Sequence, residues 1–194
     1  KEMAACPTPP RTACPSPNDF MKAYEGKDSV FVVTLSSNLS GTYESAMLAK
    51  KMFLEKAEDK FIHVFDSFSA SIAETLISIK IFELAKKKCN DLQIVEKVNE
   101  YIKSMKTLFL LESLDNLIKN GRMSRVKGGI ATLLNIKPVM GATDDGHIKL
   151  VESVRGYKRA FMRFIEIIGE QGERMEDKVI GIAHVNCRER AEEF

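Results

Sequence analysis

The sequence predicts an α/β protein in two parts: a parallel-sheet α/β N-terminal domain over residues 1–105, packed against an α+β C-terminal domain over 106–194 with a mixed or antiparallel sheet. Three observations carry this. Val30-Phe31-Val32-Val33-Thr34-Leu35 and Phe61-Ile62-His63-Val64-Phe65 are unbroken apolar or β-branched runs, the mark of strands covered on both faces in a parallel sheet. Each leads through a short polar loop into a helix-length stretch, which is βα alternation. Beyond residue 106 the pattern changes, and Asp144-Asp145-Gly146 marks a turn between two strand patterns, as in an antiparallel hairpin.

Taken in order, residues 1–15 hold Pro7, Pro9, Pro10 and Pro15, which favour an extended, unpaired segment. Ser16-Pro17 reads as an N-cap with proline at the first helical position. Phe20, Met21 and Tyr24 give the buried face, and Gly26 stops that helix. A second helix is predicted over 43–56 and a third over 70–88, the latter apolar around much of its circumference and suited to burial between layers or to a tunnel wall. Asp91 is expected to cap an amphipathic helix carrying Ile94, Val95, Val98, Ile102 and Met105 on one face. In the second half, Thr107-Leu108-Phe109-Leu110-Leu111 reads as a strand, followed by a short helix closed by Gly121. A helix over 130–135, strands over 136–140 and 147–152, and a helix of about thirteen residues after Gly156 follow. The last strand is placed at 179–184, and Asn186-Cys187-Arg188-Glu189 resembles a capping box.

At 194 residues, with 44% hydrophobic and 29% charged side chains, the chain has ordinary globular composition and can bury one large core or two small ones. No apolar run approaches the length of a membrane helix, and no signal-type stretch opens the sequence. A net charge of +2 predicts nothing about nucleic acid. Cys6, Cys14, Cys89 and Cys187 are scattered without C-x-x-C spacing, so neither a zinc site nor a disulfide framework is expected, and reduced thiols in a cytoplasmic setting are.

The chain is organised around the loop after the first strand, Ser36-Ser37-Asn38-Leu39-Ser40-Gly41-Thr42. It combines four hydroxyls and a glycine with a helix N-terminus, whose free N–H groups and partial positive charge attract anions. Such a neutral donor cluster suits a carboxylate or phosphate. Ser and Thr also simply cap helices, and composition alone leaves both uses open.

Ser37-Asn38-Leu39-Ser40-Gly41-Thr42-Tyr43-Glu44-Ser45-Ala46 resembles the S-x-L-S-G-T-Y-x-S-A loop of the DegV family of bacterial fatty-acid-binding proteins. Thr12-Ala13-Cys14-Pro15-Ser16-Pro17, Asp66-Ser67-Phe68-Ser69-Ala70-Ser71, Leu114-Asp115-Asn116-Leu117, Gly121-Arg122-Met123-Ser124, Leu133-Leu134-Asn135-Ile136-Lys137-Pro138 and Val154-Arg155-Gly156 match in the same order. The resemblance spans almost the whole chain. It implies a DegV-like fold and a longer family sequence, with a further strand and an Asp-Ser-Thr type loop ahead of Lys1 and an H-x-G-P-G segment beyond Phe194, so the chain reads as truncated at both ends. It implies a long-chain fatty acid in an apolar tunnel between domains, its carboxylate held by Thr12, Ser37, Ser40, Gly41 and Thr42. The acid would be presented to a separate fatty acid kinase catalytic subunit, with no catalytic group and no cofactor of the chain's own, and with only transient membrane contact for lipid exchange. Two departures stand out: Ala13 replaces the family's usual serine, leaving Thr12 more to do, and Ala73 stands near a usual glycine.

The alternative is a small-molecule, acyl-ester hydrolase or transferase using Ser40. That needs a base oriented by a third group, with only His63, His147 and His184 available and no G-x-S-x-G elbow. No His/Asp/Glu cluster has metal-ligand spacing, and no Walker or G-x-G-x-x-G loop is present. Residues 119–163 hold ten Lys/Arg against three Asp/Glu, clustered at Arg122, Arg125 and Lys127 and at Arg155, Lys158 and Arg159. These form either one patch or a solvated face with scattered ion pairs. No aromatic platform interleaves them for nucleic acid. By resemblance, Arg122, Arg155 and Lys158 are partner or phosphoryl contacts.

Overall fold

The computed structural model of the chain describes residues 11–26, 28–57, 60–123, 135–172 and 175–194. Its first half is a two-stranded parallel sheet between helices. Strand β1 (Ser29–Thr34) pairs with β2 (Phe61–Asp66) along its whole length, from Ser29 opposite Phe61 to Thr34 opposite Asp66. Side chains alternate across a strand, so one face carries Val30, Val32 and Ile62 and the other Phe31, Val33 and Phe65. The first packs with Tyr24 of α1 (Pro17–Tyr24) and Ala49 of α2 (Thr42–Leu54). The second packs with Ile77 and Leu84 of α3 (Ile72–Lys86) and Ile94, Val98 and Ile102 of α4 (Asp91–Ser104). Full burial of such side chains stabilises by about 1.5–3 kcal/mol each. Both faces of the sheet are covered, as the unbroken apolar runs require.

Local chemistry sets the helix starts. Ser16 caps α1 with Pro17 at N1, its hydroxyl accepting from Asp19 N–H while the Asp19 carboxylate accepts from Ser16 N–H. At α4 the cap is Asn90, one residue before the expected Asp91. Asn90 and Gln93 satisfy each other's N–H groups in a capping box, which leaves the Asp91 carboxylate to accept from Ser29 Oγ at 2.6 Å and tie α4 to β1.

The second half is a separate antiparallel sheet in the order β3 (Leu108–Leu110), β4 (Ile136–Ala142), β5 (Ile148–Arg155), with a register irregularity at Val139/Met140. Leu114, Met123 and Met140 centre its core, with Phe109, Leu117 and Ile148 around them. Helix α5 (Asp115–Lys119) ends just before Gly121, whose φ is +72°. Helix α6 (Tyr157–Gln171) packs against all three strands, a 3₁₀ turn spans Met175–Asp177, and α7 (Arg188–Glu192) comes last.

Three expectations change. Residues 179–184 are not a strand: Val179, Ile180 and Ile182 stay exposed, and Gly181 lies against Ile72 and Leu76 of α3. High β-propensity becomes a strand only where a neighbour completes the ladder, and no described strand pairs with this segment. The capping box at 186–189 does not form either. Asn186 takes φ +52°, which moves the cap to Cys187, and a thiol makes no side-chain cap there. The two-sided apolar character of α3 is real but not fully buried, since Phe82 is 63% and Ile79 48% exposed while Ile77 is sealed. The helix expected over 130–135 falls outside the described residues except for Asn135, a turn residue with φ +69°.

Candidate functional site

The loop between β1 and α2 folds into a tight turn over its own first residue. Leu39 and Ser40 N–H both donate to Ser36 carbonyl, at 2.9 and 3.1 Å, and Ser36 N–H donates to Ser69 carbonyl at 2.7 Å. Ser36 is fully buried. The Asp66 carboxylate ends β2 and accepts from Ser37 N–H at 3.2 Å and from Phe68 N–H at 3.0 Å, an aspartate turn that holds two strand-end loops side by side. Ser40 Oγ and Thr42 Oγ1 share a hydrogen bond of 2.8 Å, and Thr42 N–H donates to Ser40 Oγ at 3.3 Å. Gly41 occupies the N-cap of α2 and offers no side-chain acceptor. Two half-buried hydroxyls therefore stand at a helix end where Ser40 Oγ takes the first N–H and the N-cap residue itself supplies no acceptor, a neutral donor set for an anionic headgroup.

The second half of the chain reaches into this loop. Asn38 Nδ2 donates to Asp145 carbonyl at 2.6 Å and Ser36 Oγ to Gly146 carbonyl at 2.8 Å. Gly146 has φ +80°, and a Cβ there would collide with Ser36 Oγ and lie 2.8 Å from Phe68 Cα. Ser69 Oγ and Thr107 Oγ1 meet at 2.6 Å. Arg122 Nε donates to Leu39 carbonyl at 3.2 Å. On the other side, Ser45 Oγ donates to Pro15 carbonyl at 2.6 Å, and Cys14 Sγ faces Gly41. The segment holding Thr12 therefore runs beside the start of α2, with Thr12 itself exposed.

The structure thus places Ser37, Ser40, Gly41 and Thr42 in one loop, with Thr12 on the adjoining strap. The three basic residues divide. Arg122 touches the loop directly, whereas Arg155 and Lys158 line a shallow hollow of about 450 Å³ with Asn135, Gly156, Tyr157 and Arg159 at the start of α6. Arg125 and Lys127 lie outside the described residues. What sequence reasoning missed is the part that Ser36, Asn38, Asp66 and Gly146 play in shaping the loop. Asp66-Ser67 at a strand end was a readable aspartate-turn signal; the partners of Asn38 and Ser36, more than a hundred residues away, had no local signal.

Titration follows from these contacts. Burial, then the nearby Asp66 and Glu44 carboxylates, pushes the Tyr43 phenol above its ordinary range, so it stays protonated beside the loop. The Thr143 hydroxyl and then His147 hold Asp145 below the usual carboxylate range. The Ser40 hydroxyl has both of its hydrogen-bond partners in Thr42, while His63 meets Phe65 edge-on and His147 Nδ1 sits 3.0 Å from Asp145 Oδ2. No imidazole among the described residues contacts Ser40 as a base. Among those residues no group of three metal-ligating side chains converges, and no helix is long and apolar enough to cross a membrane.

The DegV family model matches residues 1–194 of this sequence. The chain belongs to the DegV family. A DegV domain-containing protein of Streptococcus gordonii is 38% identical over 172 residues, covering 89% of this chain and 61% of that protein. A DegV-family crystal structure from Ruminococcus gnavus, refined with vaccenic acid, is 41% identical with a TM-score of 0.94, over 99% of this chain and 69% of that one. The Streptococcus pneumoniae Fatty Acid Kinase (Fak) B3 protein loaded with linoleic acid is 37% identical with a TM-score of 0.80, over 88% and 60%. The chain thus spans about three fifths of the length of the S. gordonii relative. The parallel pair and the separate antiparallel sheet described above are the DegV architecture.

Proposed function

We propose that this DegV chain holds a long-chain fatty acid, with its carboxylate at Ser37, Ser40, Gly41 and Thr42 and with Thr12 closing from the strap. Its tail lies in an apolar tunnel between an N-terminal domain (1–105) and a C-terminal domain (106–194). The observation that carries this is the Ser40–Thr42 hydroxyl pair at the start of α2, where the N-cap is a glycine, in a chain whose structural neighbours are named with bound fatty acids. An acyl tail gains about 0.8 kcal/mol per buried methylene. A carboxylate taken from water without partners costs several kcal/mol, and hydroxyls with helix N–H groups offset that cost without a fixed countercharge.

The bound acid is the ligand, and the chain brings no cofactor or catalytic group. It presents the carboxylate to a separate fatty acid kinase catalytic subunit, in the cytoplasm, touching membranes only transiently to exchange lipid. Arg155 and Lys158 meet that partner or the passing phosphoryl group, and Arg122 stands between this role and the loop. The name of the S. pneumoniae relative supports the kinase partnership, and the basic hollow at Arg155 and Lys158 suits an anionic surface.

Native mass spectrometry of the purified full-length protein, with extraction and identification of any lipid, tests the reading. A co-purified or tightly bound long-chain acid is expected. Preparations free of lipid that also fail to bind added acid in calorimetry would reject it.

A further inference from the structure

Asn38 is an exposed loop residue whose amide nevertheless reaches across the molecule. Facing a carbonyl, only its NH₂ end can bond, and Nδ2 lies 2.6 Å from the Asp145 carbonyl. Next to it, Ser36 Oγ donates to the Gly146 carbonyl and accepts from Asn38 N–H at 3.2 Å. Two adjacent carbonyls of the β4–β5 turn thus receive two donors from the β1–α2 loop. The turn is itself braced. Thr143 N–H donates to His147 carbonyl, Gly146 N–H to Thr143 carbonyl, and Asp145 pairs with Thr143 and His147 through its side chain. Gly146 is packed so closely on Ser36 that no side chain fits between them. The loop therefore takes its shape from a turn that belongs to the other sheet, while Ser40 and Thr42 point their hydroxyls from the loop's far end.

From this juxtaposition we infer that Asn38 is a positioning residue for headgroup recognition: its bond to the β4–β5 turn sets where Ser40 and Thr42 stand, and hence how well the site tells a carboxylate from an uncharged headgroup. The inference rests on the fatty-acid reading above. It assigns selectivity to a contact between the two sheets, and it gives Asn38 no contact with the ligand.

The test uses the full-length protein, a long-chain fatty acid and the fatty alcohol of the same chain length. Wild type is measured first and is expected to prefer the acid; no preference would overturn the functional reading itself, and the inference with it. In Asn38→Ala, affinity for the acid should fall about fivefold, as for one net hydrogen bond, while affinity for the alcohol changes less than twofold. A variant that loses both ligands equally, or keeps the wild-type preference, overturns the inference and leaves the functional reading standing. Circular dichroism checks folding. Asn38→Ser, whose side chain is too short to span to Asp145, replaces Asn38→Ala in the same comparison if that variant is not folded.

Discussion

Two loops in this protein share a plan. Each leaves a strand, passes a glycine at the N-cap and enters a helix without a side-chain cap: Gly41 before α2 and Gly156 before α6. Their surroundings differ. The first is ringed by neutral hydroxyls and held by Asp66, Asn38, Ser36 and Arg122 to three other parts of the chain. The second is ringed by Arg155, Lys158 and Arg159, with Asn135 as its near neighbour. A pinned neutral site can pay for desolvating one carboxylate, because its donors are already placed. An open cationic one acts at a distance, through a field that salt screens. On the proposed reading one plan serves two tasks, and what differs is the degree of enclosure.

The comparison is broken most directly through glycine. Gly146, which clamps the first loop, and Gly156, which opens the second, both have positive φ, at +80° and +84°. A Cβ at 146 has nowhere to go, whereas at 156 its nearest neighbour is Asn135 Nδ2 at 3.9 Å. Overpacking costs about 1–3 kcal/mol, and holding a residue other than glycine at positive φ about 1–3 kcal/mol. Gly146→Ala, which bears both costs, should therefore lower the unfolding free energy by about 2–6 kcal/mol in urea titrations, and Gly156→Ala, which bears only the second, by about 1–3 kcal/mol. Equal losses would mean that the first loop is no more tightly clamped than the second.

Ligand binding sharpens the same contrast. Ser40→Ala should weaken binding of the acid by about 1–3 kcal/mol, the cost of leaving a buried charge-assisted bond unmade, with Thr12→Val acting less because its side chain is exposed. Arg155→Glu with Lys158→Glu should leave calorimetric affinity for the acid unchanged. It should sharply reduce phosphorylation by the kinase, and the deficit should shrink at high salt. Arg122→Ala should fall between, since its Nε holds the Leu39 carbonyl. If the Arg155 variant also lost the acid, the two loops would be one site.

The smallest effect concerns acid pH and separates the fold from both loops. Burial, then repulsion from Lys50, depresses the His63 pKa. The unfolded chain then takes up a proton near pH ~6.5 that the folded chain resists. Stability should be fully present above that pH and fall as pH drops through it toward the folded value. Urea midpoints between about pH 7.5 and 5.5 should slope for wild type and flatten for His63→Gln. Parallel slopes would exclude His63 as the source.

Much of the fold was legible because its signals are local. Runs such as 30–35 and 61–65 can be covered on two faces only in a layered sheet, and Ser16-Pro17 and Asp144-Asp145-Gly146 fix a helix start and a turn by their own chemistry. Local signals failed where a partner decides. The apolar run at 179–184 had no described strand to pair with, and the cap of α4 went to Asn90 because Gln93 could answer it. Within the site, the motif words gave the residues of the loop but not its shape. Asn38 stood at the x of the loop motif, and Arg122 read as a partner or phosphoryl contact; both are tied to groups far away in sequence.

That separation bears on how the protein is made. Ser36 and Gly146 are 110 residues apart, and Asn38 and Asp145 are 107 apart, whereas the β1–β2 ladder closes within the first 66 residues. At a translation rate of about 5–20 residues per second, the loop waits roughly 5–20 s for its turn to emerge. Contacts of such long range also form late, because their closure entropy is met before they repay it. The parallel pair and its helices can assemble on the ribosome while the site is still shapeless, so competence to bind should arise with the β4–β5 hairpin, at the end of refolding.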